Sequence, residues 1–73
     1  MNNYTHTLSH TERWNLAASL RRFIMHNAAL EDTTGYSEKK MIGVVNMWGV
    51  DNKFNTTEDK QLFHQIFELA TLK

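Results

Sequence analysis

Three helix-start signatures partition this 73-residue chain. Ser9-x-x-Glu12 reads as a capping box, Ser37 stands just before a second periodic run, and Thr56-x-x-Asp59 resembles a capping box before a third. In each, a side-chain oxygen can take up a backbone N–H that a helix start leaves unpaired. The spacing predicts helices over about 10–29, 38–48 and 57–72.

Apolar positions follow the helical period behind each start. In the first helix Leu16, Ala17, Leu20, Phe23 and Ile24 share one face, with Ala28 and Leu30 closing its lower end. In the second, Met41, Val44, Val45 and Trp48 repeat at i, i+3, i+4 and i+7. In the third, Leu62, Phe63, Ile66, Leu69 and Ala70 face inward with Phe67 on the flank. Glu31 to Tyr36 reads as a loop in which Gly35 can take a positive φ. Asp51 to Asn55 reads as another, with Phe54 folded back as a plug. Gly49 is expected to end the second helix in the left-handed conformation, with Val50 touching Val45. Gly43, in mid-helix, reads either as a close approach of another backbone or as a tolerated surface glycine.

The expectation is therefore an all-α fold: one compact three-helix domain over residues 9–73, most simply up-down-up, behind a flexible N-terminal tail over residues 1–8. A core this small is marginal. The chain has no cysteine, which excludes disulfides and thiolate metal sites, and no proline, which fits uninterrupted helices.

Charge narrows the function classes. Eight Lys/Arg balance eight Asp/Glu, whereas a dedicated nucleic-acid binder usually carries a basic excess. Residues 1–8 have neither a basic start nor a long apolar run, so no signal peptide is expected. No stretch approaches the ~20 apolar residues of a membrane span. The expected compartment is the cytoplasm, of a cell or of a host cell.

No motif supports catalysis or a cofactor. His6 and His10 are four apart, but the Ser9 cap places His6 outside the helix and no third ligand is in view. His26 and His64 fall on expected solvent faces. Asp51 to Asn55 superficially suggests a calcium loop, yet Lys53 replaces an oxygen ligand and Leu62 stands where the bidentate glutamate belongs. The pairs Glu31/Asp32 and Glu58/Asp59 suit solvated turns and helix starts better than acid–base work. No enzyme, no metal and no cofactor is expected.

What remains is a surplus of apolar side chains. Trp14 and Met25 on the first helix, and Ile42 and Met47 on the second, lie off the stripes one core requires. With Arg21 beside Trp14 they form the candidate partner-binding residues, since Trp, Met and Arg are enriched at protein interfaces. The reading is a non-enzymatic, soluble protein-binding module: a small inhibitor or modulator that occludes a functional surface of a larger protein or complex. A homodimer through the same patch would add burial to a small core. The alternative is a nucleic-acid-associated regulator that contacts phosphates through Arg13, Arg21, Arg22, Lys39 and Lys40.

Overall fold

A computed structural model of the chain describes residues 8–72. Among them stand four helices and no strand: α1 (His10–Met25), α2 (Leu30–Thr34), α3 (Glu38–Asp51) and α4 (Thr57–Thr71). The fold is all-α, and its three long helices begin at the expected caps. Of the expected flexible tail, residues 1–7 lie outside the described residues, while Leu8 is half-buried and packs against the core.

The starts are built as their sequences dictate. Ser9 Oγ accepts from the Glu12 N–H (3.1 Å) and Glu12 Oε1 accepts from the Ser9 N–H (2.9 Å), a complete capping box. Ser37 Oγ accepts from the Lys40 N–H at 3.1 Å. A second acceptor there comes from outside α3: Glu31 Oε2, on α2, takes the Glu38 N–H at 2.9 Å. Thr56 Oγ1 accepts from the Asp59 N–H at 3.0 Å.

The ends differ from expectation in two places. The first helix, expected to reach residue 29, stops at Met25. Asn27 Nδ2 donates to the Phe23 carbonyl at 2.7 Å, taking the acceptor that the helix would use for its next i→i+4 bond. The chain then turns and forms α2 where a loop was expected, so Leu30 points into the core as the first residue of a new helix and Ala28 is exposed. Gly35 ends α2 at φ 80°, the positive value expected of it. The second helix, expected to end at Trp48, runs on to Asp51. Gly49 is interior, and the left-handed residue is Asn52 (φ 55°, ψ 43°), whose N–H bonds to the Trp48 carbonyl at 2.8 Å. Val50, expected against Val45, is instead exposed.

Ala17, Leu20 and Ile24 of α1, Leu30 of α2, Met41, Val44, Val45 and Trp48 of α3, and Leu62, Phe63 and Ile66 of α4 make the core. Burying each large side chain contributes about 1.5–3 kcal/mol. Phe63 lies at the centre, its ring 4.6 Å from that of Trp48 and 5.3 Å from that of Phe54, the expected plug. His64, expected on a solvent face, is half-buried with its ring edge-on to Phe63.

α1 and α3 are antiparallel neighbours: Arg13 bonds to Gly49, and Arg21, further along α1, bonds to Asn46, earlier in α3. α4 begins beside the start of α3, where an up-down-up bundle would begin it at the far end. Lys40 and Asp59 form an ion pair at 2.9 Å, and Tyr36 bonds to Glu58. Residues 52–56 therefore run back along α3. Five residues can reach at most roughly 17 Å, enough to cover the ~16 Å that α3 rises between Lys40 and Asp51.

Gly43 is exposed, and a Cβ there would meet nothing within 4 Å. This fits the surface-glycine reading. Gly43→Ala is expected to stabilise the fold by about 0.5–1 kcal/mol and raise Tm by roughly 2–8 °C, read by thermal melting. A lower Tm would mean the position is more confined than its open surroundings indicate.

Tyr36 ties the α2–α3 turn to α4. Its hydroxyl donates to Glu58 Oε2; that bond, partial burial and the Glu58 and Asp59 carboxylates raise the phenol pKa above its ordinary 10.0. The folded value exceeds the unfolded one, so the stabilisation is complete below pH 10.0 and is lost as pH rises through the raised value. Tyr36→Phe should thus lower Tm at neutral pH, with the gap to the parent closing in alkali. A gap that stays constant through tyrosine ionisation would show that Glu58 does not hold the phenol.

Candidate protein-binding surface

The outer face of α1 follows from its period. His10, Trp14, Ala18, Arg21 and Met25 fall at spacings of three and four and lie along one side of the helix, turned away from Leu20 and Ile24. α3 borders this side. Gly49 makes the approach close: a Cβ added to it would lie 2.8 Å from Ala17 Cβ and 3.6 Å from Trp14 Cε3. The missing side chain lets the Trp14 ring edge rest over the α3 backbone while the rest of the indole stays out, 42% exposed.

Two arginines hold this seam. Arg13 Nε donates to the Gly49 carbonyl at 3.3 Å, supplying a donor to one of the acceptors left open at the end of α3. Arg13 Nη2 also meets His10 Nδ1 at 3.1 Å; since a guanidinium only donates, His10 accepts there. Arg21 sits with its guanidinium carbon 5.1 Å from the Trp14 ring centroid, and its Nη1 donates to Asn46 Oδ1 at 2.8 Å. Trp14 is thus gripped from below by Gly49 and from the side by Arg21. A cleft of about 270 Å³ opens beside it, lined by His10, Thr11, Trp14 and Val50.

The sequence-derived site residues divide. Trp14 and Arg21 are in contact, and Met25 lies on their face, 52% exposed. Ile42, one turn before Asn46 on α3, is half-buried and packs against the core. Met47 is elsewhere. It lines a second groove of about 290 Å³ with Lys39, Lys40, Gly43, Val44 and Phe54, walled by the returning residues 52–56. Val50, Asn46 and His10 belong to the Trp14 surface without having been singled out. Val50 was overlooked because reading Gly49 as the helix stop turned it inward.

The five basic residues do not converge either. Arg13 bonds to a backbone carbonyl, Arg21 stacks on Trp14, and Lys40 pairs with Asp59. Lys39 and Lys40 border the second groove, while Arg22 is exposed on α1. Among the described residues no group of three or more His, Cys, Asp or Glu is placed to hold a metal ion, and no helix is long and apolar enough to cross a membrane. His6, one of the spaced histidine pair, lies outside the described residues.

Comparison of the chain with protein-family models, with curated proteins and with solved structures returns no match in any of the three.

Proposed function

We propose that this chain is a non-enzymatic protein-binding module, a small inhibitor or modulator that lays the α1–α3 face over a functional surface of a larger protein or complex. The observation that carries this reading is Trp14, held half-exposed between Gly49 and Arg21. An aromatic anchor fixed before binding loses little further freedom on docking, so more of its contact energy appears as affinity. Met25, three turns along, adds an adaptable apolar contact.

The test is affinity for a partner captured from the source cells. Trp14→Ala should weaken binding about 30-fold or more, the ~2 kcal/mol of a hot spot. Met47→Ala, in the other groove, should change it far less. Affinity should also tolerate moderate salt. Binding that collapses as salt rises, is lost in Arg21→Glu/Arg22→Glu and survives Trp14→Ala would replace this reading with phosphate contact. An unchanged affinity in Trp14→Ala would remove the proposed surface altogether.

A further inference from the structure

The chain is neutral overall, but its charges are not mixed evenly. Six of the eight acidic residues, Glu12, Glu31, Asp32, Glu38, Glu58 and Asp59, stand in the first turn of a helix. Residues 13–30 contain Arg13, Arg21 and Arg22 and no acid at all. Glu12 accepts from the Ser9 N–H, and helical spacing sets it nearly opposite Trp14 around α1. Among the described residues the one ion pair joins Lys40 and Asp59; Arg21 lies on Trp14, and exposed Arg22, three residues before Met25, borders the same face at its far end.

We propose that the α1–α3 face docks an acidic, amphipathic helical segment of a partner protein. This rests on the protein-binding reading and names the chemistry of the partner. Its apolar side chains lie on Trp14, Met25 and Ile42, and its carboxylates meet Arg21 and Arg22. Stacking on Trp14 and bonding to Asn46 fix the Arg21 guanidinium in place, yet a guanidinium has five N–H donors, so a fork remains for a carboxylate. Trp14 to Met25 spans about three turns, roughly 16 Å, the length over which a docked helix presents anchors at i, i+4, i+7 and i+11. A second copy of this chain fits less well, because facing its own α1 would set arginine against arginine. A phosphate backbone would leave Trp14, Met25 and Val50 without apolar partners.

The probe is a displayed library of helix-forming peptides of about 16 residues (three turns plus flanks) with randomised surface positions, selected on the full chain. The Trp14→Ala chain serves as counter-selection. Enriched peptides should combine spaced apolar residues with a clear acidic excess. They should bind Arg22→Glu about tenfold less tightly and Arg21→Glu/Arg22→Glu about 100-fold less tightly. The single variant alters only an exposed side chain, so it reports on charge even if the double variant loosens the seam. Selection on the double variant should turn the preference basic. Peptides that need Trp14 but carry no acidic excess would overturn the acidic partner and leave the protein-binding reading standing. If no enriched peptide depends on Trp14, both fall. A DNA duplex that binds at physiological salt, insensitive to Trp14→Ala and abolished by the double variant, would assign the face to nucleic acid. Dimerisation of the chain through Trp14, without peptide binding, would assign it to a second copy.

Discussion

Gly49→Ala will lower the stability of the fold by about 1–3 kcal/mol, although alanine is the better helix former by ~1 kcal/mol. The reason is the seam. The new Cβ would sit 2.8 Å from Ala17 Cβ, and neither atom belongs to a flexible side chain that can swing aside. α1 and α3 must separate by several tenths of an ångström, loosening contacts on both sides. For a domain of this size the loss corresponds to a fall in Tm of roughly 4–24 °C. The opposite sign expected of Gly43→Ala, in the same helix, makes the pair diagnostic, because propensity alone would move both the same way. Ala17→Gly should partly rescue Gly49→Ala by returning the space on the other helix. A double-mutant cycle measures that coupling, and additive effects would show that the two residues do not meet.

The two tryptophans should separate folding from binding. Trp48 is 1% exposed and packs its ring at a tilt against Phe63, so Trp48→Ala empties the middle of the core at about 3–5 kcal/mol. At roughly 0.05–0.15 kcal/mol per residue this chain has only about 4–11 kcal/mol in hand. Trp48→Ala should lose cooperative unfolding or melt far below the parent. Trp14→Ala, which removes a ring already 42% exposed, should cost at most about 1–2 kcal/mol and keep a cooperative melt while weakening partner binding about 30-fold or more. Circular dichroism and a binding isotherm on the same samples decide it. A Trp14→Ala chain that unfolds as Trp48→Ala does would identify residue 14 as part of the core. Trp48→Phe is a finer probe: its Nε1 finds no acceptor among the described residues, so phenylalanine removes an unsatisfied donor worth about 1–3 kcal/mol while giving up ring volume.

What the sequence made legible was local. Ser9, Ser37 and Thr56 each act on an N–H three residues away, so their role can be read within a few letters. The buried stripes were equally accessible, because periodicity alone places Val45, Trp48, Phe63 and Ile66. Helix ends were not. The Phe23 carbonyl is taken by a side chain, and Gly49 is interior because a distant helix needs its bareness, which left Asn52 to make the turn. Trp14 and Met25 stood out by their angle around α1. Met47, off the buried stripe like them but on the second helix, lines a groove that only the course of residues 52–56 reveals. The basic residues looked alike in sequence. Their acceptors, a carbonyl for Arg13 and a buried carboxylate for Lys40, come from other helices and distinguish them only after folding.

The return of residues 52–56 along the helix they have just left has a bearing on how the chain assembles. From Leu30 onward the elements meet neighbours close by in the chain, through Glu31 and Glu38, Lys40 and Asp59, and Phe54 and Phe63. α1 reaches α3 across larger separations, 25 residues from Arg21 to Asn46 and 36 from Arg13 to Gly49. Closing those larger loops carries a slightly greater entropic penalty, and the expectation is that the later three helices gather before α1 docks. Damage at the Ala17–Gly49 junction should therefore quicken unfolding more than it slows folding.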